Sequence, residues 1–151
     1  MSIQEVCSIV SEERAVSIIE WKDAYSVRIQ SLDIQHKKLL EIVNRVSQMM
    51  EAPDPSAKEC FVILNELAEY ADDHFATEER LLKEHGYPRL AQHLKEHVLF
   101  TGEVFKLAQM LEKDMPALGR RVTDFVKDWY ISHVLGTDRE YIEFLTSKGL
   151  K

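Results

Sequence analysis

The sequence is poor in turn-forming residues, with five glycines and four prolines among 151 positions. Scarce turns leave room only for a few long elements, and this composition excludes a collagen-like or low-complexity chain. Cysteine is nearly absent too. Cys7 and Cys60 match no metal-ligand spacing and cannot form a disulfide framework, which suits idle thiols in a reducing compartment. No apolar run reaches the roughly 18 residues that a membrane span requires, so membrane insertion is not expected. Clusters of Lys and Arg are also missing, and the formal charge is −7. Nucleic acid is therefore not expected as a partner, because neutralising phosphates needs grouped positive charge. The N-terminal Met1-Ser2-Ile3-Gln4-Glu5-Val6 lacks a basic start, and Glu12-Glu13-Arg14 interrupts any apolar core. It reads poorly as a signal peptide, and the expected location is cytoplasmic.

What is present is a helical pattern. Apolar residues make up 45% of the chain and charged ones 30%, ordinary proportions for one globular domain. Leu39, Leu40, Val43, Val46 and Met50 recur at three- and four-residue steps and predict a helix from about Leu32 to Glu51. Ala52-Pro53-Asp54-Pro55-Ser56 breaks it, with Ser56 placed to cap the next helix. Phe61, Leu64, Leu67, Ala71, Phe75 and Leu82 carry that second helix to about His85, where Gly86-Tyr87-Pro88 stops it. A third spans about Arg89 to Leu111. A fourth follows Asp114-Met115-Pro116 and carries Leu118, Val122, Phe125, Val126 and Trp129. Strand signals are absent and the connections are short. The expected fold is all-α, an antiparallel up-down-up-down four-helix bundle. Residues 1–17, with one short helical turn around Val6, Ile9 and Val10, read as an N-terminal extension to a domain spanning 18–151. Within that domain Trp21, Tyr25, Val27 and Ile29 form an arm that packs on the bundle.

Six histidines stand out against this background. His36 falls on the first helix, His74 on the second, His93 and His97 on the third, and His133 on the fourth. Glu78 follows His74 by four residues, and His97 follows His93 by the same step, so each pair stacks on one helix face. Counted from the turns, all four helices deliver these groups to one height, within a few ångströms at about 1.5 Å per residue. Asp138, five residues after His133, would be rotated about 140° off the His133 face in a regular α-helix. Gly136-Thr137 is where the helix is expected to widen or break and bring it back. His85 lies outside the layer and reads as a solvent-facing residue near a helix end. A lone inward histidine is ordinarily a hydrogen-bonded core residue. Five histidines and two carboxylates meeting inside an apolar bundle are a costly cluster unless they hold metal.

In order and spacing, His36, His74-x3-Glu78, His93-x3-His97 and His133-x4-Asp138 match the ligand signature of the hemerythrins. The chain resembles the stand-alone bacterial members of that family, the bacteriohemerythrins. Flanking residues agree: Trp21, Val27, Ile29, Asp33-x-Gln35-His36, Gly86-Tyr87-Pro88 and Trp129. The likeness runs from about Ile18 to Leu145. It implies a non-haem di-iron centre that binds O2 reversibly, as a carrier or store rather than an enzyme. By that resemblance His93, His97 and His133 hold one iron, and His36 and His74 the other. Glu78 and Asp138 bridge both, together with an oxo or hydroxo group. Three imidazoles, two carboxylate oxygens and the bridge complete an octahedron at the first iron; two imidazoles leave one position open at the second. The buried charge is the same for the ferrous pair and the O2-loaded ferric pair if the bridge proton moves to the ligand, which limits reorganisation in a low-dielectric site.

Di-iron sites that cleave O2 are richer in glutamate, with a paired Glu-x-x-His pattern, so this imidazole-rich set is expected to bind and release it. Leu39, Phe75, Trp129 and Tyr130 are expected to line the O2 pocket. Tyr130 departs from the leucine common in the family, and its hydroxyl is expected to change autoxidation. Arg28 departs from a common glycine, which reads as a harmless change. The alternatives are a di-iron redox enzyme acting on peroxide or nitric oxide, and an O2 or redox sensor. A zinc protein is remote, because zinc takes about four ligands. The expected partners are O2 and an O2-consuming protein.

Overall fold

The computed structural model describes residues 18–52, 56–111 and 115–151. The expectations for residues 1–17, including Val6, Ile9, Val10 and Cys7, lie outside the described residues, as do those for Pro53, Asp54, Pro55 and Asp114. The proposed division between residues 17 and 18 falls at that edge. Four long helices form: α1 (Gln30–Glu51), α2 (Ala57–Glu84), α3 (Leu90–Ala108) and α4 (Met115–Trp129). α1 packs on α2 and α4, and α3 packs on the same two, so the four stand at the corners of a square. This is the expected all-α bundle, with no strand among the described residues. No described helix is long and apolar enough to cross a membrane.

Each helix buries most of the stripe that its periodicity predicts, although Phe61 of α2 is 54% exposed. Leu39, Leu40, Val43 and Val46 of α1 meet Leu64, Leu67 and Ala71 of α2, Phe100, Val104 and Leu107 of α3, and Leu118, Val122 and Val126 of α4. A smaller apolar cluster closes one end of the bundle. Val27 and Ile29 of the arm and Leu32 of α1 meet Leu82, Tyr87 and Tyr141 there, with Ile142 and Leu145 of the short α5 (Ile142–Ser147). The polar layer lies between these two apolar bodies.

The helix ends follow the sequence closely. Ser56 occupies the N-cap of α2, although its hydroxyl makes no capping bond. At the other end Gly86 adopts φ +71°, and the Tyr87 N–H reaches back to the Leu82 carbonyl at 2.9 Å. That is a left-handed glycine stop, open to residues without a Cβ penalty. His85 is half-buried rather than solvent-facing, and its Nδ1 lies 2.8 Å from the Leu81 carbonyl, which it helps to cap. α3 ends at Ala108, and the chain continues to Leu111 in tighter three-residue turns.

Two local features differ from expectation. The fourth helix widens one turn earlier than Gly136-Thr137. Tyr130–Val134 form a π-helical turn, in which the Leu135 N–H bonds the Tyr130 carbonyl at 3.0 Å, and a 3-10 turn over Thr137–Tyr141 follows. Gly136 makes the bend between them. A Cβ there would sit 2.2 Å from the Ser132 carbonyl oxygen, so no other residue fits without moving backbone. Arg28 is the second. It holds φ +61° on the exposed arm between buried Val27 and Ile29. Asp33 fixes this conformation by accepting from the Ser26 hydroxyl at 2.6 Å and the Val27 N–H at 2.8 Å. The arginine is thus not neutral, because a side chain in the left-handed region costs energy that glycine avoids. Arg28→Gly is expected to stabilise the protein by about 0.5–1 kcal/mol after glycine's own entropy cost. Chemical denaturation checks this; an unchanged or lower stability contradicts it.

Candidate metal centre

The seven polar residues picked out by height converge. His36, His74, Glu78, His93, His97, His133 and Asp138 are each no more than 2% exposed. Their donor atoms fall into two overlapping groups. Glu78, His93, His97 and His133 form one; His36, His74, Glu78 and Asp138 form the other, and within each group the donor atoms lie within 4.8 Å of one another. α1 brings His36, α2 brings His74 and Glu78, and α3 brings His93 and His97. The π turn after α4 brings His133 and the 3-10 turn Asp138.

The carboxylates sit between the two groups. Glu78 Oε2 is 2.7 Å from His93 Nε2, 3.0 Å from His97 Nε2 and 3.9 Å from His74 Nε2. Asp138 divides its oxygens, with Oδ1 3.0 Å from His133 Nε2 and Oδ2 3.2 Å from His36 Nε2. Yet among the described residues neither Asp138 oxygen, nor His36 Nε2, nor His74 Nε2 makes a hydrogen bond. Buried polar atoms are ordinarily satisfied. Here they face common points without bonding one another, which is the arrangement that a shared cation fits. Imidazole nitrogen and carboxylate oxygen together suit a divalent or trivalent first-row metal.

A second layer orients the rings. His74 Nδ1 lies 2.9 Å from Gln35 Oε1, His97 Nδ1 2.8 Å from Glu79 Oε1, and His133 Nδ1 2.6 Å from Glu96 Oε2. Donating the Nδ1 proton outward leaves the Nε2 lone pair pointing inward, the tautomer a metal needs. Tyr141 donates its hydroxyl to Glu78 Oε1 at 2.5 Å. Gln35 could be read in sequence beside His36. Glu79, Glu96 and Tyr141 could not, because each acts across an interface between elements.

Aromatic rings cover the layer unequally. Phe75 stacks on His97 with centroids 3.8 Å apart, and Trp129 stacks on His133 at 4.0 Å, so both shield the three-imidazole side. Leu39 and Tyr130 are buried in the same core. On the two-imidazole side Tyr70, which the sequence did not single out, stacks on His74 at 5.0 Å and 17°. It lies one turn before His74 on α2, a spacing that could have flagged it.

Charge is strongly redistributed. Burial lowers His74 to about 3, keeping the ring neutral despite Glu78 beside it. Burial also opposes a charge on His133, but Asp138 and Glu96 overcome it and push that ring up to about 10. Burial works against Glu78 ionising, yet His74 and the bonds from His93 and His97 hold its carboxyl well below the usual range. Asp138 is lowered as well: burial and Glu78 oppose its charge, and His133 and His36 outweigh them. Without metal, then, a protonated His133 partly balances two buried carboxylates.

Metal must displace that proton. His133 stays charged up to a pH of about 10, so metal affinity rises with pH below that value. Anaerobic calorimetric titration with ferrous ion at pH 8, in buffers of differing ionisation enthalpy, is expected to show about one proton or more released per chain. Binding with no proton release contradicts this charge balance.

Residues 27–145 match the family described as the hemerythrin HHE cation binding domain. The chain is 35% identical to the bacteriohemerythrin of Clostridium acetobutylicum, over 82% of this chain and 98% of that one. It is 27% identical to the myohemerythrin of Riftia pachyptila, over 80% and 88% respectively. Among solved structures it is similar to a wild-type hemerythrin, at 25% identity and a TM-score of 0.72, covering 86% of this chain and 99% of that one. A leucine-to-tyrosine mutant of hemerythrin gives 26% identity and the same TM-score, covering 86% and 98%.

Proposed function

The chain belongs to the hemerythrin family, and from that premise we propose that it binds O2 reversibly at a di-iron centre, as a carrier or store. The observation that carries the reading is the pair of donor groups sharing Glu78 inside the bundle. His93, His97 and His133 would hold one iron and His36 and His74 the other, with Glu78 and Asp138 reaching both. A ferrous pair held there supplies the two electrons that O2 takes up on binding and returns on release.

The chain's own residues favour return over onward chemistry. Five neutral-donor imidazoles against two carboxylates give a donor set with little negative charge, which stabilises high-valent metal less than a carboxylate-rich set does. Tyr141, Gln35, Glu79 and Glu96 hold ligands in place from behind, so the geometry need not rebuild when the metal changes charge. Phe75 and Trp129, flat against His97 and His133, keep water from that face, while Leu39 and Tyr130 supply further buried lining. Among the buried ligands only Glu78 meets a phenol proton, on an oxygen directed away from the imidazoles. We read the protein as a carrier rather than an enzyme, acting where an O2-consuming protein draws on it. The residues of the N-terminal extension take no part in this reading.

Anaerobic reduction followed by cycles of O2 addition and removal tests the proposal. It expects two irons per chain and a visible ligand-to-metal band that appears with O2 and disappears without it, over repeated cycles. A centre that bleaches to the ferric state on first exposure, or a chain that holds one metal ion, contradicts it.

A further inference from the structure

Two buried phenols have no hydrogen-bond partner among the described residues. The hydroxyls of Tyr70 and Tyr130 are both buried and bond to nothing among the described residues. A phenylalanine at position 70 would fill the same space with no unsatisfied donor, so nothing in the packing explains the hydroxyl. The Tyr70 ring cannot swing away to find a partner. It is stacked on His74 and held edge-on by Phe75 at 6.3 Å and Phe100 at 6.4 Å. Nor does it serve either carboxylate: Glu78 takes its phenol proton from Tyr141, and both Asp138 oxygens are without a hydrogen bond among the described residues. The Tyr70 hydroxyl is within electrostatic reach of Asp138, Glu78 and Tyr130. It is therefore a rigid donor beside the layer, against a ligand of the metal position that two imidazoles leave less filled. Burial keeps its proton in place, and that of Tyr130 likewise.

We propose that Tyr70 is a specificity-determining residue of the centre, whose hydroxyl donates a hydrogen bond to a small ligand on the His36–His74 side. The ligand class is small molecules that carry or acquire negative charge on their outer atom: O2 as it is reduced on binding, and linear anions. A donor aimed at such an atom strengthens as charge develops and adds little for a ligand that stays neutral. This inference rests on the di-iron reading of the site. It differs from the ligand set itself, because Tyr70 touches the bound molecule and not the metal.

The test uses azide as the probe on the ferric, iron-loaded protein, comparing wild type with Tyr70→Phe. Loss of the Tyr70 hydroxyl is expected to weaken azide binding about tenfold, the scale of one hydrogen bond to a charged acceptor. The azide stretch should shift between H2O and D2O in wild type, and less so in Tyr70→Phe. The thermal midpoint of the ligand-free protein should hold or rise in that variant, because an unsatisfied donor has been removed. A purely structural tyrosine would lower the midpoint and leave the azide stretch alone. Azide affinity in Tyr70→Phe within about twofold of wild type overturns the proposal. So does a wild-type azide stretch that ignores D2O, a result that holds even if the variant fails to fold. A wild-type chain that takes up no iron overturns the underlying reading instead, and with it this one.

Discussion

The constraint on which the rest of the structure depends is the burial of seven polar side chains in one layer of an apolar bundle. Removing charged groups from water costs several kcal/mol each unless partners compensate. Protein partners compensate only in part. Glu78 is well supplied, with His93, His97 and Tyr141 all within 3.0 Å. Asp138, His36 Nε2 and His74 Nε2 are not. A layer so unevenly satisfied fits a cation that supplies what the protein does not, and the bundle encloses it from both sides. The apolar body of α1–α4 lies on one side, and the Val27–Leu145 cluster seals the other.

Two sides of the layer then acquire different characters. The three-imidazole side is sheathed by flat aromatic rings with little polar capacity, Phe75 and Trp129. The two-imidazole side carries a phenol on His74 whose hydroxyl is unspent. Were two irons held as proposed, the open coordination position would fall on that same side. The asymmetry in metal ligands is thus matched by an asymmetry in what surrounds them, and ligand recognition rests on the second as much as on the first.

Much of this was legible in the sequence, because helices translate spacing into height and face. The His74–Glu78 and His93–His97 steps, and the distances from the turns, were enough to gather the layer. Gly86 and its proline were enough to end α2. Much of what was not legible depends on contacts between elements rather than spacing within one. Glu79 meets His97 and Glu96 meets His133 across helix interfaces, and Tyr141 reaches Glu78 from 63 residues away. The bend at Gly136 falls where the sequence put a break, and the π turn over Tyr130–Val134 comes one turn before it. Arg28 looked neutral since its cost lies in a φ angle imposed by Asp33.

The central claim is that the layer exists to hold two metal ions which share its carboxylates. A crystal of the iron-loaded protein, measured on both sides of the iron absorption edge, tests it most directly. The account predicts two anomalous peaks, one enclosed by His93, His97 and His133 and the other by His36 and His74, with Glu78 and Asp138 reaching both. A single peak, or density in which Asp138 reaches only one ion, would contradict it.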